Sequence, residues 1–317
     1  VPGFLMLAGP SKHFKSAFAL LMAAAYQKKY PDAVVLFYDS EFGTPQAYFE
    51  SFGINMEQVI HTPITDVEQL KFDIMKQLES IDKKDRVVIV VDSIGNLASK
   101  KEVEDAMNEK SVADMSRAKQ MKSLFRMITP HLNLKDIPLI AVNHTYKEIG
   151  LYPKDIVSGG TGAYYSSDAI WIIGRQQEKD GTEIAGYNFV INIEKSRHVR
   201  EKSKIPIMVT FEGGIMKWSG LLEVAEKGGF IRKPKVGWYE PINPATGEVL
   251  MDKLLRAKEI INGGDFWKMM FEKTDLANYI KMQYTMGTRS LMSDDEAVMN
   301  GEDYEDSQSV EEVGESV

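Results

Sequence analysis

Short apolar runs alternate with longer amphipathic stretches over the first two thirds of the chain. The apolar runs predict strands at 4–8, 34–38, 87–91, 138–142, 169–173, 187–193 and 206–211. The amphipathic stretches predict helices at 15–29, 66–82 and about 113–134. Near-continuous Val and Ile runs separated by helices are typical of a parallel sheet that is covered on both faces. The pattern therefore predicts an α/β fold with a mostly parallel sheet.

The pattern changes at about residue 215. The residues beyond it predict a short helix at 221–225, a hairpin at 237–249 with Pro and Gly in its turn, and helices at 252–262 and 265–286. We therefore expect three parts: a core at 1–215, a small C-terminal α/β domain at 216–288, and an acidic, disordered tail at 289–317.

Charge is unevenly distributed along the chain. The formal net charge is −8, but ten acidic residues and no Lys or Arg lie between Asp294 and Val317. Without this segment, 36 acidic residues face 38 basic ones. Residues 1–293 are therefore close to neutral, and basic loops in this part of the chain can bind a polyanion.

Composition narrows the possible chemistry. The 317 residues contain no Cys, which excludes disulfides, thiolate metal sites and thiol catalysis and fits a reducing cytoplasm. No apolar stretch reaches about 18 residues, so we expect no membrane span. The chain begins at Val1, almost within a strand, so we expect an N-terminal segment to precede it in the parent protein.

The segment between the first strand and the first helix is the strongest candidate site. It begins with Gly9, continues with Pro10, Ser11, Lys12 and His13, and ends with Phe14, Lys15 and Ser16. A strand, a tight loop and a helix in this order suit a phosphate-binding loop, where the Lys meets the outer phosphates and the Ser hydroxyl binds Mg²⁺. The Phe occupies the usual position of a second Gly, so it must avoid positive φ or accept strain. An ordinary loop with two lysines is the alternative.

Two carboxylates follow the next strands of the predicted sheet. Glu41 follows the strand at 34–38 and is a candidate base that activates water, or else an exposed loop acid. Asp92 closes the strand at 87–91 and is a candidate Mg²⁺ ligand, or else a helix cap. Ligands bind beyond the carboxyl ends of parallel strands, so this pair supports a nucleotide site.

Polar and basic loops follow the remaining strands. Asn143 and His144 end the fourth strand, where they could sense a terminal phosphate or be ordinary loop residues. Basic and aromatic residues on flexible loops suit single-stranded nucleic acid, although nearby acids also fit a solvated loop. The candidates are Lys100, Lys101, Tyr146, Lys147, Tyr152, Lys154, Gly159 and Gly160.

A further basic segment contains Lys195 and Arg197 at the end of a strand. A charge run is usually a solvated face. The functional interpretation is a pair of cations supplied to a phosphate, as an arginine finger is.

Together these residues resemble the RecA-type recombinases, and especially the UvsX-type recombinases of T-even-type bacteriophages. The stretches that carry the resemblance are 7–16, 36–43, 92–102, 142–146 and 190–197. The similarity runs from Val1 to about residue 287, and Phe14 itself is similar to the phage pattern.

The resemblance implies a RecA-like P-loop ATPase core that uses ATP and Mg²⁺ and forms filaments on single-stranded DNA. It implies pairing with homologous duplex DNA, help from a recombination mediator and a single-strand-binding protein, and action in the bacterial host cytoplasm. The family's segment before the phosphate loop, which packs on the adjacent subunit, lies outside this sequence.

The resemblance also implies site roles. The phosphate loop matches Gly9–Ser16, the Mg²⁺-side acid Asp92 and the catalytic glutamate Glu41. Tyr48 matches the aromatic that packs on adenine. His144 matches the γ-phosphate switch, where cellular members more often have Gln. ATP lies between subunits in the family, and Lys195 and Arg197 match the cations that reach the neighbour's phosphates. The DNA-binding loops match about 99–112 and 145–161.

Three other functions are compatible with a nucleotide-binding core of this kind. The first is a hexameric helicase-type motor. The second is a nucleotide-gated scaffold that hydrolyses little ATP. The third is a metabolic kinase, for which the sequence offers no acceptor site.

Overall fold

A nine-stranded sheet lies at the centre of the structure. The structure is a computed structural model, and it describes residues 3–108, 116–149, 155–180, 183–212 and 214–285. The strands in chain order are β1 (Gly3–Ala8), β2 (Val34–Asp39), β3 (Val59–Pro63), β4 (Val87–Asp92), β5 (Pro138–Asn143), β6 (Thr145–Lys147), β7 (Asp155–Val157), β8 (Ala169–Asp180), β9 (Glu183–Ser196), β10 (Lys204–Thr210), β11 (Gly214–Ile215), β12 (Ile231–Lys235) and β13 (Trp238–Pro241). The large sheet has the order β11-β10-β9-β8-β1-β5-β4-β2-β3, and β6–β7 and β12–β13 are separate pairs.

The first part of the large sheet is parallel. β1 pairs with β5 and β8, β4 with β2 and β5, and β2 with β3, all in the parallel sense. Every residue of β4 is buried, as expected for a Val and Ile run covered on both faces. From β8 to β11 the neighbours are antiparallel. The predicted α/β fold with a mostly parallel sheet is confirmed.

The seven predicted strands are all present, with ends shifted by up to seven residues. The strand predicted at 169–173 continues to Asp180 and pairs with β9 over its length. The sequence pattern missed β3. Because β3 is an edge strand with exposed polar residues, it lacks the apolar run that marks the buried strands.

Helices cover both faces of the sheet. They are α1 (Lys15–Lys29), α2 (Gln46–Ser51), α3 (Val67–Ser80), α4 (Lys100–Met107), α5 (Ser116–Leu134), α6 (Thr161–Ser166), α7 (Leu221–Lys227), α8 (Ala257–Ile261), α9 (Gly264–Lys273) and α10 (Leu276–Tyr284). No helix in the described part of the chain has both the length and the apolar character needed to cross a membrane.

Two apolar clusters fix the sheet between its helices. On one face Leu70, Ile74 and Phe125 from α3 and α5 are buried against the sheet, and Phe125 stacks on Phe4 of β1 at 4.6 Å between ring centroids. On the other face α1 packs on the central strands together with β9 residues such as Phe189. The carboxyl ends of β1, β2, β4 and β5 are therefore held side by side at one edge.

The residues after 215 pack around the buried Trp267 in a cluster of their own. The hairpin predicted at 237–249 is present in part: Ile242 and Val249 form an antiparallel bridge, and backbone bonds join Asn243 to Glu248 and Leu250 to Pro241. A second pair, β12 with β13, was not predicted, and its tight turn contains Gly237, whose φ of +73° suits glycine.

The two helices predicted after this hairpin are also shorter than expected. The first covers only Ala257–Ile261. The second is broken at Thr274, whose hydroxyl bonds back to the carbonyl of Met270, so that α9 and α10 are separate. The tail predicted at 289–317 lies outside the described residues, and the domain bounds stay predictions.

Candidate active site

The loop between β1 and α1 contains two non-glycine residues with positive φ, Lys12 at 61° and Phe14. Phe14 has φ 62° and ψ 18°, the left-handed conformation that Gly usually supplies. That conformation costs a non-glycine residue about 1–2 kcal/mol. The Phe14 ring stacks on Phe189 at 5.0 Å and meets Phe18 edge-on at 5.4 Å. Aromatic pairs contribute about 0.5–1.5 kcal/mol each, so the two contacts offset the strain.

Other contacts hold the same loop. A Cβ at Gly9 would lie 2.9 Å from the carbonyl oxygen of Ile173, so the strand passes too close for a side chain. Arg175 Nη1 donates to the carbonyl of Lys12 at 3.0 Å, and His13 Nδ1 lies 2.8 Å from the carbonyl oxygen of Ser11. The loop is therefore held from β8 as well as from its own residues.

Lys15 is nearly buried and folds back into the loop. It is 6% exposed, and Nζ donates to the carbonyl of Pro10 at 2.7 Å. Burial lowers the pKa of Lys15, whereas the charges of Asp92 and Glu41 raise it. A buried ammonium group beside the backbone N–H groups of a tight loop and a helix N-terminus is suited to binding a multiply charged anion such as a phosphate chain.

Asp92 and Ser16 meet at the carboxyl edge of the sheet. The Ser16 hydroxyl lies close enough to the Asp92 carboxylate to lower its pKa, while Oδ1 of Asp92 has no hydrogen-bond partner among the described residues. Burial raises the pKa of Asp92 to about 6, and the charges of Glu41 and Asp39 add to the effect. A hydroxyl beside a buried carboxylate with an unused lone pair fits Mg²⁺, which takes oxygen ligands.

Glu41 leaves β2 in a turn that directs it to the same edge. Asp39 Oδ1 accepts hydrogen bonds from the backbone N–H groups of Glu41 and Phe42 at 2.9 and 2.8 Å. The Glu41 carboxylate accepts through Oε1 from Ser93 Oγ at 3.2 Å and from Asn96 Nδ2 at 3.0 Å. Its side chain is still 43% exposed, so a water molecule can reach it.

His144 lies between Glu41 and the β6–β7 hairpin. Its Nε2 is 3.7 Å from Glu41 Oε1, and burial lowers the pKa of His144. Its carbonyl accepts from the Ser158 N–H at 2.9 Å, and the buried Asn143 donates to the Ser158 carbonyl at 2.8 Å. The predicted sensor pair therefore connects the site to the loop that follows it.

Tyr48 lies in α2 beyond Glu41. It is 37% exposed and meets Phe52 edge-on at 5.0 Å, and burial raises its pKa. No hydrogen bond or ring contact joins it to the phosphate loop within the described ranges. Its role against adenine stays a prediction.

The segment predicted as the first DNA-binding loop, 99–112, is helical over its first half rather than a loop. Lys100 and Lys101 open α4, and Ser99 caps it in a reciprocal capping box with Glu102. A Ser followed three residues later by Glu is the sequence signal of such a cap. Residues 109–112 lie outside the described part.

The second predicted DNA-binding loop, 145–161, includes the β6–β7 hairpin. Tyr146 is 56% exposed, and Lys147 pairs with Asp155 at 2.9 Å. Gly159 and Gly160 follow the hairpin with φ of +92° and +77°, conformations that favour glycine. Tyr152 and Lys154 lie outside the described residues.

The two predicted cations lie at the end of β9, with Lys195 in the strand and Arg197 just after it. Lys195 is opposite Ile170, which pairs with Met6 of β1, whereas the phosphate loop follows the end of β1. Lys195 Nζ donates to the carbonyls of Tyr164 and Tyr165 at 3.0 and 3.2 Å. Arg197 Nε pairs with Asp168 at 2.9 Å. Within one chain, these cations are not brought to the phosphate loop.

The sequence interpretation missed several residues of the site. Asp39, Ser93 and Asn96 contact Glu41 or its backbone, and Arg117 bonds the loop after Asp92. An Asp two residues before Glu41 is a recognisable turn signal. The other three depend on contacts that sequence spacing does not specify.

Comparison with known proteins identifies the relatives of this chain. A model of the RecA N-terminal domain matches residues 4–216, and a model described as "Bacteriophage T4, Recombination and repair protein, C-terminal domain" matches residues 218–280. The chain is 52% identical over 288 residues to the "Recombination and repair protein" of Enterobacteria phage T4, covering 90% of this chain and 73% of that protein.

Bacterial proteins are similar at lower identity. The chain is 25% identical over 297 residues to Protein RecA of Mycobacteroides abscessus, which covers 92% of this chain and 79% of the relative. It is 27% identical over 259 residues to Protein RecA of Mycoplasma mobile, which covers 80% and 76%.

Proposed function

The chain belongs to the RecA family of recombinases, in the branch of the T4 recombination and repair protein, and we propose that it forms filaments on single-stranded DNA and promotes homologous pairing and strand exchange with ATP. The observation that carries this proposal is the convergence of Lys15, Ser16, Asp92 and Glu41 at one edge of the sheet. The helicase, scaffold and kinase alternatives are not favoured, because the matching relatives are recombination proteins.

The site supports ATP hydrolysis. The backbone of residues 9–16 surrounds the phosphates, and Lys15 neutralises charge on the outer ones. Ser16 and Asp92 would hold Mg²⁺, and the ion would supply positive charge to the phosphate oxygens. Glu41 orients the attacking water and accepts its proton, because its Oε1 is fixed by two donors while the side chain remains open to solvent.

His144 connects this chemistry to DNA binding. Because it contacts Glu41 on one side and anchors the β6–β7 hairpin on the other, a bound γ-phosphate and the position of the hairpin influence each other. In this proposal the exposed Tyr146 and Lys147 on the hairpin contact DNA bases and phosphates, together with Lys100 and Lys101 of α4.

Lys195 and Arg197 act between subunits in this proposal. Lys195 bonds the carbonyls of Tyr164 and Tyr165, and Arg197 pairs with Asp168. Among the described residues neither contacts the phosphate loop of its own chain, which supports a role at the nucleotide of an adjacent subunit. ATP binding then stabilises the filament. The further partners that we propose are homologous duplex DNA, a recombination mediator and a single-strand-binding protein, and the place of action is the host cytoplasm.

Electron microscopy and ATP turnover test this proposal. We expect the protein to form helical filaments with ATP, Mg²⁺ and single-stranded DNA, and DNA to increase its ATP turnover. Lys15→Ala should abolish hydrolysis, whereas the exposed-residue control Lys28→Ala should not. Closed rings would favour a helicase motor, turnover that DNA leaves near zero would favour a scaffold, and normal turnover in Lys15→Ala would reject the site.

A further inference from the structure

The loop that follows Asp92 joins Glu41 to the start of α5. We call residues 93–97 the 93–97 loop. On one side, Asn96 Nδ2 donates to Glu41 Oε1 at 3.0 Å, and Ser93 Oγ donates to the same oxygen at 3.2 Å. Glu41 lies in a turn after its strand and is 43% exposed. Its carboxylate therefore takes its position from this loop, while Asp39 of its own strand holds its backbone.

On the other side, the 93–97 loop is bound by a single guanidinium. Arg117 Nε donates to the carbonyl of Leu97 at 2.6 Å, and its Nη2 donates to the carbonyls of Ile94 and Gly95 at 3.1 and 2.9 Å. A planar guanidinium that bonds three carbonyls fixes them relative to one another, which the point charge of a lysine cannot do. Arg117 thus sets the shape of the loop that presents Asn96.

Arg117 is also adjacent to the proposed DNA-contacting helix. It lies in the first turn of α5, and the preceding Ser116 Oγ is 2.6 Å from Oγ of Ser99, the N-cap of α4. The next two residues, Lys100 and Lys101, are proposed DNA contacts. A continuous series of contacts therefore runs from α4 through the 93–97 loop to Glu41.

We propose that Asn96 is a positioning residue for Glu41 and that Arg117 fixes the loop carrying it, so that this pair makes ATP turnover respond to DNA bound at α4. The inference rests on the proposed function, since it assigns Glu41 to hydrolysis. Asn96 is itself exposed, so its truncation leaves the core intact. The pair acts on the chemical step and not on nucleotide binding, because neither residue contacts the phosphate loop within the described ranges.

The test compares Asn96→Ala and Arg117→Lys with two exposed controls of the same residue types on α5, Asn133→Ala and Arg126→Lys. Full-length protein is assayed for kcat and KM of ATP hydrolysis, with and without single-stranded DNA, and for ATP affinity with a fluorescent analogue. Misplacing a catalytic group by about 1 Å can cost about 100-fold in rate, so a smaller displacement costs less than this. We expect DNA-stimulated kcat to fall about tenfold in Asn96→Ala, with KM and affinity within about twofold.

Each outcome distinguishes the inference from the proposed function. Asn96→Gln, which keeps the amide donor, should recover part of the lost kcat, and Arg117→Lys should lower the ratio of DNA-stimulated to basal turnover. Unchanged kcat in Asn96→Ala overturns the inference while leaving the recombinase proposal intact. A fall in ATP affinity equal to the fall in kcat also overturns it. Wild-type protein without ATP turnover overturns the proposed function and the inference with it.

Discussion

The buried carboxylate of Asp92 should make the nucleotide-free protein less stable at neutral pH than it would be with a neutral side chain. Asp92 is 4% exposed, and its Oδ1 has no hydrogen-bond partner among the described residues. Burial disfavours the charged form and raises the pKa of Asp92 to about 6 from an ordinary value of 3.8. Asp92→Asn keeps the shape and can still accept from Ser16, but it carries no charge.

The size and the sign of the effect follow from linkage. One pKa unit corresponds to about 1.4 kcal/mol, so a shift of about two units gives about 3 kcal/mol. The folded pKa is the higher one, so the stability due to this group is fully present below pH 3.8 and is lost as the pH rises through about 6. Asp92→Asn should therefore raise the free energy of unfolding by about 3 kcal/mol at pH 8 and by about 1 kcal/mol at pH 4.5.

Urea unfolding of the nucleotide-free protein at these two pH values measures the effect. Asp32→Asn, a change at an exposed aspartate, is the matched control and should leave the unfolding midpoint unchanged. Mg²⁺ and ATP together should stabilise the wild type more than Asp92→Asn, because the variant lacks the charged metal ligand. A variant that is less stable than wild type at pH 8, or a difference independent of pH, would refute the reasoning.

Three further predictions test other parts of the site. Phe14→Gly should lower the free energy of unfolding by about 1–2 kcal/mol in urea, because the lost ring contacts outweigh the relieved strain; a more stable variant would contradict this. Gly95→Ala places a Cβ 2.5 Å from Cδ2 of His144, so DNA-stimulated turnover should fall about tenfold while ATP affinity, measured by fluorescence titration, is retained. Arg197→Ala should impair turnover, and mixing it with Lys15→Ala should restore part of it at mixed interfaces; no rescue at any ratio would exclude the role between subunits.

The amino-acid pattern was sufficient for the parallel core and for the groups at its edge. Buried Val and Ile runs mark β4 and its neighbours, because strands covered on both faces need continuous apolar residues. Parallel strands end at the same edge, so the order of strands and helices along the chain is enough to place Lys15, Glu41 and Asp92 together. Their convergence follows from topology and not from local spacing.

The features that the sequence did not predict depend on contacts between residues that are far apart in the chain. The hairpin at 237–249 is present only as the bridge between Ile242 and Val249, while the preceding residues of that segment pair with β12, a strand that the sequence pattern does not mark. Asn96 and Arg117 were not found, since nothing in their spacing shows which carbonyl or carboxylate each one bonds. The conformation of Phe14 was left open, because its ring partner is far away in the sequence.

The conformation of the phosphate loop thus depends on residues outside the loop. A loop with two glycines can bend to its shape through local flexibility, whereas Phe14 is held in the left-handed region by packing on Phe189 of β9. A fragment that ended before β9 would contain every residue of the motif and still lack the packing that maintains its geometry. During synthesis, therefore, the loop can bind a phosphate chain only after β9, which lies two strands from β1 in the sheet, has been made and has packed on it.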